Sequence, residues 1–135
     1  MIDQDFYETV CRISPVGLFR TSPKGEMIYV SKKFEDIVNL NEEELLKNKW
    51  MESIHSDDIG LVKKTFAESV KKEKSWNLEF RFRTKNGKVT WVLGQALRIN
   101  GGGKGLVGTI TNINKRKNIL SELRTMKETF YKTKL

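Results

Sequence analysis

The residues best suited to chemistry cluster in the stretch IHSDDIGLVKKTF, Ile54 to Phe66. It holds the one histidine of the chain, His55, followed by Asp57 and Asp58. An imidazole beside carboxylates could bind a metal or share a proton. A metal site, however, takes three or four converging ligands. No second histidine exists, and the single cysteine, Cys11, lies far back in the chain. Neighbouring residues on a helix point apart, so Asp57 and Asp58 do not make a dyad. The local reading is simpler. Ser56 is expected to cap a helix, with Asp57 and Asp58 in its first turn, where negative charge meets the positive end of the dipole. His55 then precedes the cap. Ser14, Ser22 and Ser31 have no base at motif spacing, so no catalytic constellation and no metal are expected. The glycine-rich run GGGKG invites comparison with a phosphate loop, but such a loop opens a helix and carries Lys-Ser or Lys-Thr. Here the β-branched LVGTITNI follows, and a hairpin turn is expected instead.

These residues sit among elements with clear periodicities. Phe6, Val10 and Ile13 recur at helical spacing, which predicts an N-terminal helix over residues 3–14, ended by Pro15. GLFRT and EMIYV, around the turn SPKG, predict a hairpin, with Met27 and Tyr29 on one face of the second strand and Ile28 and Val30 on the other. KKFEDIVNL groups Phe34, Ile37 and Val38. Asn41 and Glu44 form a capping-box pattern before Leu45 and Leu46. KNKWMES has no clear period and reads as a loop or single turn. Ile59, Val62, Phe66 and Val70 make the stripe of a longer helix. SWNLEFRFRT alternates, with Trp76, Leu78, Phe80 and Phe82 inward and Asn77, Glu79, Arg81 and Arg83 outward. Asn86-Gly87 turns it into VTWVLGQALRIN. The tail from Lys115 steps through Ile119, Leu123, Met126 and Phe130, a heptad-like seam among charged faces.

With 135 residues, 38% hydrophobic and 31% charged, the chain suits one domain with one core. No apolar run reaches the roughly 18–20 residues of a membrane span. A lone cysteine and an acidic start without a signal-peptide pattern predict a cytoplasmic protein. The net charge of +8 is scattered over lysines at helix ends and turns, with no arginine-rich stripe, so nucleic acid is not expected as a partner.

The order of elements and four fragments resemble the PAS (sensory-box) family. SPVGLFRTSPKGEMIYVSKKFEDI resembles its opening hairpin and first helix, and IHSDD its His-Pro-Asp-Asp signature. EFRFRTKNGKVTWV resembles its Glu-x-Arg strand, turn glycine and tryptophan. GLVGTITNINKRK is similar to its final strand, which usually runs into Asp-Ile-Thr. Ser31, Ser56, Asn112 and Asn114 depart from the usual residues, the last two at the motif that couples sheet to exit helix. An asparagine cannot form the usual ion pair there, so amide hydrogen bonds would have to replace it.

The resemblance implies an α+β fold: a five-stranded antiparallel sheet flanked by short helices, with residues 1–114 as the sensor domain and 115–135 as a signalling helix. It implies a sensory module, not an enzyme, that binds a small ligand or partner and relays the change through this helix to an effector such as a histidine kinase or diguanylate cyclase. Phe34, Ile37, Trp50, Ile54, Leu78 and Phe80 are the candidate pocket liners, Asn112 and Asn114 the relay, and Ile119, Leu123, Met126 and Phe130 the contact of a homodimer. Flavin is not expected, because Cys11 lies in the wrong region for the reactive thiol of flavin-binding relatives. Haem is not expected, because His55 precedes the long helix. No cofactor is therefore predicted. A ligand-free interaction and dimerisation domain is the alternative.

Overall fold

The structure, a computed structural model, describes residues 4–134. Helix α1 (Gln4–Ile13) is followed by strands β1 (Gly17–Thr21) and β2 (Met27–Val30) and helices α2 (Lys32–Val38) and α3 (Glu42–Leu45). A 3₁₀ turn (Lys49–Ser53), helix α4 (Ile59–Lys72), strands β3 (Trp76–Arg83), β4 (Val89–Arg98) and β5 (Leu106–Asn112), and helix α5 (Asn114–Lys134) complete the chain. Asp3 and Leu135, included in the predicted terminal helices, lie outside the described residues. The strands form one antiparallel sheet in the order β2-β1-β5-β4-β3. The expected α+β architecture is therefore present, and GGGKG is the β4–β5 hairpin turn, with positive φ at Gly101, Gly102, Gly103 and Gly105.

Local signals account for the elements that line the core. The Asn41–Glu44 capping box forms as expected, Asn41 Oδ1 accepting from Glu44 N–H at 2.8 Å and Glu44 Oε1 from Asn41 N–H at 3.2 Å. Ser31 is buried and joins two elements: its Oγ accepts from Phe34 N–H at 3.3 Å, capping α2, and from Leu18 N–H on β1 at 2.9 Å. On β3 the predicted alternation holds, with Trp76, Phe80 and Phe82 buried and Leu78 half-buried.

Seven rings, Phe19, Phe34, Phe82, Phe80, Trp76, Phe66 and Trp50, run in a chain of tilted and edge-to-face contacts through the core, with centroids 5.0–6.2 Å apart. Such geometries suit the aromatic quadrupole.

The expected alternation on β2 needs correction. Met27 and Val30 are both buried while Ile28 and Tyr29 are exposed, because the β1–β2 register slips at Arg20/Thr21 and shifts the alternation by one residue. Helix α1 does not cover the outer sheet face: Val10 and Ile13 are 42% and 75% exposed, and so are Leu97 and Val107 on that face, at 63% and 47%.

Candidate functional site: the root of the exit helix

Strand alternation points Glu79 and Arg81 away from the core, and the β3–β4 register sets Arg81 opposite Trp91. The three side chains meet the start of α4 on one side and the start of α5 on the other. Asp58, just before α4, takes a two-pronged ion pair from Arg81: Nε to Oδ2 at 2.9 Å and Nη2 to Oδ1 at 2.8 Å. Arg81 N–H also donates to Asp58 Oδ2 at 2.9 Å. The Arg81 guanidinium lies 4.9 Å from the centre of the Trp91 ring, and Lys117 Nζ lies 4.4 Å from the same centre. Lys117 Nζ in turn reaches Glu79 Oε1 at 2.7 Å, and Arg116 pairs with the other Glu79 oxygen. Two carboxylates thus hold two cations on one indole, and such pairing is favourable over an aromatic face.

Asn112 and Asn114 complete the root. Asn112 Oδ1 accepts from Asn114 N–H at 2.9 Å, and Asn114 Oδ1 accepts from Trp91 N–H at 2.7 Å. Ile113 N–H donates to the Trp91 carbonyl and the Ile113 carbonyl accepts from Lys117 N–H, which starts the helix. These amide bonds take the place of the ion pair that asparagine cannot form, and the charge appears one turn on, at Glu79 with Arg116 and Lys117. Beyond this root α5 leaves the domain: Ile119, Leu123, Met126 and Phe130 are 46%, 55%, 66% and 55% exposed, and the helix does not fold back over the sheet.

The opening stretch behaves differently from its sequence reading. Ser56 does not cap α4; residues 56–58 form a turn, and Asp58 occupies the cap position without a side-chain capping bond. The Asp58 carboxylate is turned to Arg81 instead, since a charge-assisted pair outweighs a neutral capping bond. His55 braces this turn: its Nδ1 accepts from Asp57 N–H at 3.1 Å, and its carbonyl accepts from Asp58 and Ile59 N–H. Among the described residues no group of three or more His, Cys, Asp or Glu converges as a metal site.

Of the pocket candidates, Phe34, Trp50, Ile54 and Phe80 are buried together in the core, with Ile37 and Leu78 packed against it. The indole Nε1 of Trp50 is buried without a hydrogen-bond partner. Sequence reading passed over Glu79, Arg81, Trp91 and Lys117 as site residues. The available signal was the Glu-x-Arg pattern on the outward face of β3 and the tryptophan opposite it.

The pairs shift the carboxylates. Hydrogen bonding from Arg81 holds Asp58 below its ordinary value, and hydrogen bonding from Lys117, then Arg116, does the same for Glu79. A depressed carboxylate contributes stability that is present above its unfolded pKa, about 4, and is lost as pH falls through the folded value. Carboxyl-carbon NMR titration is expected to give both residues midpoints below the ordinary values of their side-chain types. An ordinary midpoint for Asp58 or Glu79 would show that its pair does not persist in solution.

The family model of the PAS fold matches residues 27–110. The chain belongs to the PAS-fold family. It is similar to a sensory box histidine kinase/response regulator from Burkholderia thailandensis, with 26% identity, a TM-score of 0.67, and 93% of this chain and 98% of that one covered. It also resembles the N-terminal domain of a diguanylate cyclase with PAS/PAC sensor from Marinobacter aquaeolei, at 12% identity and a TM-score of 0.67 over 76% of this chain and 98% of that one; this likeness concerns the fold. An uncharacterized protein of Sinorhizobium fredii, y4lL, is 21% identical over 129 residues, which span 93% of this chain but 16% of that protein. No described helix is long and apolar enough to cross a membrane.

Proposed function

We infer that this domain is a cytoplasmic, non-catalytic sensory module that passes a change in its core through α5 to an effector, a histidine kinase or diguanylate cyclase. The observation that carries this reading is the exit helix itself. It is fastened at its root to β3 and β4 by Glu79, Trp91 and Asn114, while Ile119, Leu123 and Met126 beyond the root are about half exposed. A homodimer through Ile119, Leu123, Met126 and Phe130 is the proposed output geometry. A few kcal/mol of bias suffices to switch such a helix pair.

The proposed input is a small molecule held among Phe34, Ile37, Trp50, Ile54, Leu78 and Phe80. The unpartnered Trp50 N–H supports it, since a buried donor without an acceptor is costly and a ligand oxygen would satisfy it. A resident chromophore is not part of the proposal. The close packing of the rings favours a second reading, a ligand-free interaction and dimerisation domain. Native mass spectrometry of freshly purified protein separates the two: a retained small molecule at near one equivalent supports sensing, and a clean apo mass supports the interaction domain. Absorption of the same sample is expected to be flat above about 320 nm, as tryptophan and tyrosine absorb below that. A Soret or flavin band would overturn the cofactor-free proposal.

A further inference from the structure

The charges at the α5 root hold more interplay than an anchor needs. Arg81 and Glu79 are two residues apart on the outward face of β3, a separation of about 6–7 Å along the strand. A guanidinium on a long side chain can reach a carboxylate at that distance. In the structure it does not, because Asp58 takes both of its prongs. Glu79 is thereby left to Lys117 and Arg116. Asp58 in turn is positioned by α4. Its N–H donates to the His55 carbonyl, its carbonyl accepts from Val62 N–H at 3.0 Å, and Val62 and Phe66 of the same helix are buried in the core. A displacement of the α4 start would move Asp58 first.

We propose that Arg81 is a two-position switch for the exit helix: paired with Asp58 it leaves Glu79 to hold Lys117 and Arg116, and released from Asp58 it takes Glu79 and unfastens the first turn of α5. The proposal rests on the reading of α5 as the output and supplies its trigger. Competition for one carboxylate is the physical basis. Arg81 and Lys117 already share the Trp91 ring, and without Asp58 and Asp57 three cations, Arg81, Lys117 and Arg116, would face the single acid Glu79. Bidentate geometry favours the arginine over the lysine as partner of that acid. Asp57, whose Oδ2 lies 3.9 Å from Arg81 Nη2, is the standby partner and has to be removed as well.

The test is NMR-detected amide exchange in the whole chain, read at Trp91 N–H and Lys117 N–H, which bond to Asn114 Oδ1 and the Ile113 carbonyl. In D57N/D58N the amide oxygen at position 58 still accepts from Arg81 N–H, but the charge is gone. Both reporter amides are expected to exchange about tenfold faster, with the β4–β5 ladder less affected. Adding Arg81→Met removes the competitor, and the triple variant is expected to return both reporters to within about twofold of wild type. Unchanged reporters in D57N/D58N would overturn the proposal. So would a triple variant that exchanges as fast as D57N/D58N, or a rise spread evenly over the ladder that Arg81→Met does not reverse, because Asp58 would then act as structural support. Neither ligand nor dimer enters this measurement. Its failure leaves the sensory reading standing, and a clean apo mass or a monomeric wild type leaves the switch to be judged on exchange alone.

Discussion

Gly94→Val is expected to destabilise the domain by about 3 kcal/mol, a large part of a marginal fold's stability. Gly94 lies on the inward face of β4, opposite Leu78 on one side and Ile110 on the other. A β-carbon built there would come within 2.6 and 2.7 Å of two carbons of the Trp76 ring and 2.9 Å of the Phe80 ring. Neither ring can give way. Trp76 is held by Phe66 at 5.0 Å and Phe80 by Phe82 at 5.3 Å, and the Trp76 Nε1 donates to Thr65 Oγ1 at 3.0 Å. Protein cores respond to added volume by strain, not by flow. Gly60, near the start of α4, meets nothing within 4 Å of such a carbon. Gly60→Ala is therefore expected to stabilise by about 0.5–1 kcal/mol, through the smaller entropy lost by alanine in a helix. Urea unfolding of the two variants reads both signs. A Gly94→Val midpoint equal to wild type would mean free room beside Trp76 and Phe80, and the packed-core argument for a ligand-free domain would fall with it.

How far the sequence reaches is visible in particular residues. The β3 alternation and the Asn41–Glu44 box were legible because each depends on contacts within a few residues or on one strand's period. The β3–β4 hairpin was legible too, but its loop takes in Lys85 as well as Asn86 and Gly87, closed by Thr84 and Lys88 with positive φ at Gly87, in place of a two-residue Asn86-Gly87 turn. Ser56 was misread for the complementary reason. A local rule made it the cap, yet the winning interaction joins Asp58 to Arg81, 23 residues on, and only the folded sheet brings them together. The β2 alternation failed at a slip in register, which no pattern within β2 announces. The root of α5 was half legible. Asn112 and Asn114 stood out by their departure from a motif, whereas Glu79, Arg81 and Lys117 read as ordinary solvated charges until the fold placed them around Trp91.

Leu123→Lys is expected to convert a dimer into a monomer while leaving the sheet intact. Helix α5 has 21 residues, about 30 Å of length. An isolated helix of that size is marginal in water. Its first turn is fastened to the domain by Lys117, Arg116 and Asn114. The apolar residues Ile119, Leu123 and Met126 step by four and three, the spacing that brings one edge of a helix to a partner, and Leu120 at 54% exposure widens that edge. A second copy satisfies the pattern by symmetry, since each Leu123 would meet the same stripe on its partner. Burying one leucine is worth about 1.5 kcal/mol or more, so losing two per dimer weakens association by about a hundredfold before the repulsion of facing lysines is counted. The charge falls at mid-helix, away from Glu79 and Trp91, so the root should be untouched. Sedimentation over a concentration series, with circular dichroism as the check on folding, decides the matter. Wild type is expected to be dimeric at hundreds of micromolar and the variant monomeric with an unchanged β signal. A monomeric wild type at that concentration, or a variant that pairs equally well, would remove this stripe as the dimer contact and with it the proposed output geometry.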